Sequence, residues 1–347
     1  MRIQESGCRN QGRAVKMSAG AVSFFVPHAG CPHDCSFCDQ RSISGKSKPP
    51  GGEDIRDALH EAIELHGERV KNMQIAFFGG SFTAIERTQM HSMLLNAADF
   101  CGVDGFSGIR ISTRPDCINM EILRDIAKYP ITDIELGAQS MDDAVLRRNM
   151  RGHTAQDTIN AAAMIRLAGY RLTLQMMTGL LGDTPEGAIE TAGQIAKLSP
   201  GAVRIYPVIV LRGTLLEKWY IDGTYTPPEL DDAVSLSAKL LDFFTDLQIP
   251  VIRLGLHESD GIRDRCIAGP RHPAFRELCV GKILADKLMA QVKECPPKVL
   301  KIRVHPKNIS ALTGHGRRAL KLLEQAGYIP TVMPDESLGY LEAKLGN

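Results

Sequence analysis

The feature that most limits how this chain can fold is a regular alternation of short β-rich runs with amphipathic stretches over residues 22–210. Candidate strands fall at 22–26, 74–78, 109–113, 133–137, 171–177 and 203–210. Each is rich in Val, Ile, Leu and Phe and is closed by Gly, Pro or Ser. Helical patterns separate them. Residues 55–65 carry Ile55, Leu59, Ala62 and Ile63 at helical spacing; 154–168 starts at Thr154 as an N-cap and stops before Gly169. Residues 184–198 have Pro185 in the first turn and Pro200 just past the end, the asymmetry expected of a helix. Six β-then-α units in series predict a parallel sheet with right-handed crossovers. The expected fold class is therefore α/β, a partial (β/α)6 barrel of the TIM type with a smaller C-terminal α+β region. Reacting groups belong at the C-terminal ends of its strands.

Beyond Leu211 the pattern changes to a helix at 227–247, a strand at 251–256, a helix at 273–292, a half-buried strand at 298–304 and a helix at 310–325. This predicts a polar, disordered lead-in at 1–16, with Met17 as an alternative start, a core at 17–224 and an α+β extension at 225–347. A chain of 347 residues buries enough surface to need no covalent staples. With 41 basic and 40 acidic residues, no global field draws it to nucleic acid or an anionic membrane. A local patch remains open: Lys298, Lys301, Arg303, Lys307, Arg317, Arg318 and Lys321 follow one another with no acid between them. That run reads as a solvated face or as a surface for an RNA backbone, and its few aromatics argue against base stacking. The apolar runs are too short to span a bilayer and no secretory signal is evident, so a cytoplasmic location is expected.

The nine cysteines are odd in number and lack an export signal, which argues against a disulfide framework. Cys31, Cys35 and Cys38 crowd into eight residues directly after the first strand. Three thiolates there suit a 4Fe–4S cube, capping three irons and leaving the fourth open to a ligand. The lesser alternative is a tetrahedral zinc completed by His28 or His33. Phe37, between the second and third cysteines, offers an aromatic face to a purine, which a closed zinc site does not need. Cys266, Cys279 and Cys295 are too widely spaced for a cluster and read as buried small hydrophobes.

The segment CPHDCSFC at 31–38 resembles the CxxxCx(aromatic)C signature of the radical S-adenosylmethionine (SAM) enzymes. FFGGSF at 77–82 is similar to the glycine motif that binds the methionine amino group, with Ser81 where Glu is usual. Gly79 and Gly80 let backbone approach a ligand, though a tight strand-to-helix turn explains both glycines as well. ISTRPD at 111–116 resembles a segment of the Elongator catalytic subunit's radical core, with Ser112 where relatives place a ribose-binding Glu. Arg114 and Asp116 read as an ion pair at a turn forced by Pro115. ELGAQS at 135–140 and RRNMRGHT at 147–154 place Gln139 and Arg151 twelve residues apart. The oxygen-independent coproporphyrinogen oxidases use that separation for a ribose-contacting Gln and an Arg on the methionine carboxylate. A guanidinium fork suits a carboxylate; the plainer reading of Arg151 is a surface cation at a helix end. IYPVIVLRGTLL at 205–216 resembles the sixth-strand segment on the adenine side in the same branch.

The resemblance implies a 4Fe–4S cluster on Cys31, Cys35 and Cys38, and SAM held by Phe37, Gly79, Gly80, Ser81, Ser112, Gln139 and Arg151. It implies reductive cleavage of SAM to methionine and a 5′-deoxyadenosyl radical, fed by a reduced ferredoxin or flavodoxin-type donor. The Elongator-like core points to tRNA as substrate; the oxidase branch points to a small molecule such as a porphyrinogen. Acetyl transfer is not expected, because the chain is too short for that domain. A zinc-binding RNA module without catalysis and a cluster protein that only shuttles electrons are the rival classes.

Overall fold

A computed structural model describes residues 15–18, 20–26, 31, 34–38, 49–256, 260–292 and 299–346, with backbone alone at 15–18 and 260–261. In chain order the strands and helices are β1 Val15–Ser18, β2 Ala21–Val26, α1 Gly52–His66, β3 Gln74–Gly79, α2 Arg87–Ala98, β4 Ile109–Thr113, α3 Met120–Ile126 and β5 Ile131–Gln139. They continue with α4 Asp143–Arg148, α5 Ala155–Leu167, β6 Arg171–Thr178, α6 Pro185–Lys197, β7 Ala202–Pro207, β8 Val210–Leu211, α7 Leu215–Ile221 and α8 Leu230–Asp246. The last are β9 Val251–Leu254, α9 Asp260–Arg265, β10 Cys266–Ala268, α10 Phe275–Val292, β11 Val299–Val304, α11 Ile309–Thr313, α12 Arg318–Gln325, β12 Ile329–Pro334 and β13 Ala343–Gly346.

The strand order of the principal sheet is β1-β2-β3-β4-β5-β6-β7-β9. It has two ends, so the sheet is open, as a partial barrel requires. Only β1 is antiparallel to its neighbour; seven strands run parallel. The expected α/β class holds, with one strand more than the six expected. The extra strand is β9, read from sequence as part of the C-terminal region, which pairs in parallel with β7 through Val203↔Val251 and Ile205↔Leu254. The expected sixth strand is shorter than its apolar run. Pro207 cannot donate to a ladder, so β7 stops there, and β8 pairs antiparallel with β10 instead.

The chain divides into two compact units. The first comprises residues 1–34, 39–138 and 156–173. Its core is aromatic: Phe24 stacks on Phe77 at 5.5 Å and Phe77 on Phe82 at 4.9 Å, all three fully buried. Helix α3 is capped by Asn119, which accepts the Ile122 amide at 2.9 Å, so the chain enters the helix on a fixed path.

The second unit comprises residues 35–38, 139–155 and 174–347. Helix α6 begins as its sequence predicts, with Thr184 accepting the Gly187 amide at 3.0 Å and Pro185 in the first turn. Toward the C-terminus, β12-β11-β13 form a separate sheet. Leu300, Ile302 and Val304 are buried on one side of β11, and Lys301 and Arg303 are exposed on the other. The single helix expected at 310–325 is two, α11 and α12, because Gly314–Arg317 turns the chain through left-handed backbone. Cys279 is fully buried in α10, as a small hydrophobe should be, and burial pushes its thiol pKa up.

Candidate functional site

In the first unit the FFGGSF motif is a strand end clamped by its own aromatics. Phe77 and Phe82 stack around the turn, and the Gly80 amide donates to the Val26 carbonyl at 2.8 Å. Gly79 has φ +118°, and a Cβ there would stand 2.6 Å from the Val26 oxygen. The turn therefore demands glycine by itself, whatever ligand it meets. Ser81, buried behind it, lies 3.5 Å from the Cys31 sulfur.

Thr83 extends the same network. Its hydroxyl proton goes to the Cys117 carbonyl at 2.7 Å, so the Thr113 hydroxyl must donate to Thr83 at 2.7 Å. Arg114 grips Asp116 with two bonds of 2.9 and 2.8 Å across Pro115, the ion pair anticipated from sequence. Ser112 is half-buried and stands opposite Glu135 across β4 and β5. Sequence reasoning passed over Cys117. Burial and the Asp116 carboxylate hold its thiol above the usual cysteine range, Arg114 and a hydrogen bond from Ser81 oppose the shift, and Cys31 lies close enough to add to it.

In the second unit, residues 35–38 form a tight turn in which the Cys38 amide donates to the Cys35 carbonyl at 3.1 Å. Cys35 is buried, and the Arg151 guanidinium donates to its sulfur at 3.3 Å. Arg151 itself is buried, so the surface-cation reading does not hold. Phe37 is half-buried against the cluster of Val145, Met177, Leu180, Val208, Val210, Leu216 and Tyr225. Gln139 closes β5 with φ +65°, an uncommon conformation for a residue with a side chain, and its Oε1 accepts from Gln175 at 3.1 Å. That bond orients the amide so that Nε2 remains available to donate.

What holds the cysteine turn was not visible in the motif. Asn149 is buried, and its Oδ1 accepts from the Ser36 hydroxyl at 2.9 Å and from the Leu181 amide at 3.3 Å. Its Nδ2 donates to the carbonyls of Val145 at 2.8 Å and Leu181 at 3.0 Å. Backbone bonds add Ser36 to the Asn149 carbonyl at 3.1 Å and Leu216 to the Ser36 carbonyl at 2.8 Å. A single side chain thus ties the cysteine turn, the end of α4 and the loop after β6.

Cys31, Cys35 and Cys38 are thiols outside any disulfide, so their donor chemistry fits an iron–sulfur cluster. Cys31 is turned to Ser81 and Cys35 to Arg151. Among the described residues, no three Cys, His, Asp or Glu side chains converge on a single ion position. His28 and His33, the alternative zinc ligands, lie outside the described residues, as does Lys298 of the basic run.

The remaining basic residues do not make one face. Lys301 and Arg303 project from the exposed side of β11, whereas Lys307 and Arg317 lie in 3-10 turns and Arg318 and Lys321 in α12. Acids also meet them: Arg303 pairs with Asp335 at 2.6 Å and Arg318 with Asp231, both distant in sequence, and Arg317 pairs with nearby Glu324 at 2.6 Å.

Residues 25–195 match the radical SAM superfamily, and residues 200–285 match the radical SAM C-terminal domain. An uncharacterised protein of Methanocaldococcus jannaschii is 31% identical over 226 residues, which cover 61% of this chain and 68% of that protein. The chain belongs to the radical SAM superfamily. It is a radical SAM enzyme, and the cofactors of that family are a 4Fe–4S cluster and SAM. A tRNA uridine(34) acetyltransferase of Dehalococcoides mccartyi is 24% identical over 291 residues, 71% of this chain and 63% of that protein. The chain spans 42% of Elongator complex protein 3 of Saccharomyces cerevisiae, at 26% identity. Among solved structures, the archaeal Elp3 of Methanocaldococcus infernus, lacking its N-terminus, superposes with a TM-score of 0.60. It is 19% identical, and the match covers 82% of this chain and 65% of that one, so the two share the fold. No helix among the described residues is long and apolar enough to cross a membrane.

Proposed function

We propose that this chain cleaves SAM reductively at a cluster held by Cys31, Cys35 and Cys38, and that its substrate is tRNA. The observation that carries the chemistry is the contact of Arg151 with Cys35. A buried guanidinium beside Cys35 supports this reading, because a cation next to the cluster would suit the methionine carboxylate of SAM. When bound, the cluster supplies one electron to the sulfonium of SAM, drawn from a reduced ferredoxin or flavodoxin-type donor.

The protein's own groups hold and orient. The turn at Gly79 and Gly80 brings bare backbone to the methionine amino group, and Ser81 lies beneath it. Gln139, with its Oε1 already occupied, donates Nε2 to the ribose. Ser112 lacks the carboxylate that relatives use there; Glu135, buried opposite it, supplies that carboxylate instead. Phe37 packs one face on the apolar cluster and turns the other to the adenine.

The tRNA assignment rests on the similarity to the tRNA uridine(34) acetyltransferase of Dehalococcoides mccartyi, joined to the Elongator-like motifs of the core. The test is SAM affinity, measured by calorimetry on the anaerobically reconstituted protein. Arg151→Ala should weaken binding by about 1.5–3 kcal/mol, the range for a charge-assisted bond, and Arg151→Lys should recover only part of it. Unchanged affinity in Arg151→Ala would remove Arg151 from the site.

A further inference from the structure

We infer that the C-terminal residues 299–346 form a clamp for the backbone of single-stranded RNA, centred on the turn Gly314–His315–Gly316–Arg317. The argument starts from topology. Parallel strands β11 and β12 pair from Val299↔Ile329 to Val304↔Pro334, and β13 lies antiparallel on the other side of β11. The crossover between the parallel strands is α11, the glycine turn and α12, and both helices touch β12. Two helices joined by a glycine turn and backed by a three-stranded sheet is the arrangement by which KH modules clamp the backbone of four nucleotides. Here the second glycine comes one residue early, as Gly-His-Gly-Arg in place of Gly-x-x-Gly.

The turn has features that helix packing does not require. His315, Gly316 and Arg317 are successively left-handed, with φ of 50°, 70° and 60°. Two residues with side chains are thus held in a conformation that costs each about 1–2 kcal/mol. A Cβ at Gly316 would meet no atom within 4 Å, so the glycine serves its backbone angle and leaves open space above the chain. A phosphate can approach that surface to backbone distance. The turn is also firmly seated: Gly281 of α10 lets α11 come so close that a Cβ there would lie 2.5 Å from the Ala311 carbonyl.

Charge identifies the ligand. Arg317 lies in the turn and Arg318 and Lys321 follow it in α12, all three exposed, while His315 is held by Glu277 of α10 at 2.5 Å. The pairs Arg317–Glu324 and Arg318–Asp231 are surface pairs, each worth about 1 kcal/mol or less, so a phosphate can replace either acid. Three exposed cations at a glycine turn match about three successive phosphates of one strand. The tRNA substrate proposed above would bring such strands in its loops, so the clamp deepens that reading.

The test is fluorescence anisotropy on the full chain with a labelled octauridylate, the matching RNA duplex, the matching DNA strand and whole tRNA as competitor. The octauridylate should bind at low salt with a log–log salt slope of about −2 to −3, and more tightly than duplex or DNA. Gly316→Asp should weaken it about tenfold, because Asp tolerates left-handed backbone and points a carboxylate at the phosphates. Arg317→Gln with Arg318→Gln should reduce the slope by about one to two units of 0.7. Lys301→Gln, on the opposite side of the sheet, should change affinity less than about twofold. Thermal melts of each variant separate loss of binding from loss of fold. Equal losses from Gly316→Asp and Lys301→Gln, or duplex or DNA bound as tightly as the RNA strand, would overturn the clamp. Octauridylate binding that tRNA fails to compete would keep the clamp and refute the tRNA reading. No octauridylate binding, with SAM binding intact, would refute the clamp alone.

Discussion

Replacing Asn149 by alanine isolates the device that holds the cysteine turn. The substitution deletes four side-chain hydrogen bonds, to Ser36, Val145 and twice to Leu181. At about 1 kcal/mol net for each, the gross loss is about 4 kcal/mol. The Val145 carbonyl keeps the Asn149 amide at 3.1 Å, which lowers the figure. The Ser36 hydroxyl is left buried without its partner, which raises it. The expected destabilisation is about 2–4 kcal/mol. Ser36→Ala removes a single bond and leaves Oδ1 satisfied by Leu181, so it should cost only about 1 kcal/mol. Urea unfolding of the full chain under nitrogen checks both, with a lower midpoint and an unchanged slope expected for each variant. Iron retained after anaerobic reconstitution should follow the same order, because Asn149 fixes the turn that carries Cys35 and Cys38. Asn149→Ala within 0.5 kcal/mol of wild type, or Ser36→Ala as costly as Asn149→Ala, would refute the reasoning.

Other substitutions probe other parts of the account. Gly79→Ala should destabilise by about 1–3 kcal/mol or more, since the left-handed φ and the Val26 carbonyl both oppose a Cβ. Gly193→Ala, inside α6 with nothing within 4 Å of a Cβ, should stabilise by about 0.5–1 kcal/mol; thermal melts compare the two. Burial raises the Asp183 carboxyl to about 6, so between its ordinary value of 3.8 and that value the folded state holds a proton that the unfolded state has lost. Stability should therefore fall as pH rises through that window. In Asp183→Asn the fall should vanish, and melting curves at pH 4 and pH 7 would show wild type losing ground only at the higher pH. Asn308 is fully buried with neither amide atom hydrogen-bonded, so Asn308→Leu should raise the urea midpoint by the equivalent of about 1 kcal/mol or more.

Much of the architecture was legible because the buried strands are continuous apolar runs between helices with clear caps. Residues 21–26 and 74–79 pair just as alternation implies. The strand 251–254 was placed in the C-terminal region rather than in the principal sheet because its pairing with β7 is a long-range choice that four residues of sequence do not encode. The break at 314–317 was hidden by Ala311, Leu312, Ala319, Leu320 and Leu323, which keep a helical period across the turn. At the site, the cysteine spacing and the Gln139–Arg151 separation were readable because both are local patterns. Asn149 was not, because its work is a convergence of residues 36, 145 and 181. The basic run lost its unity for a similar reason: Asp231 and Asp335 meet it only in three dimensions.

The most direct measurement of the central claim is the electron paramagnetic resonance spectrum of the reconstituted, dithionite-reduced protein with and without SAM, beside iron and sulfide content. The account predicts about four irons per chain, a spectrum that shifts when SAM is added, and loss of both in Cys35→Ala but not in Cys101→Ala. Cys101 is a suitable control because it bonds only the Ala97 carbonyl at 3.7 Å and burial holds its thiol at about 11. A spectrum unmoved by SAM, or a full cluster in Cys35→Ala, would contradict it.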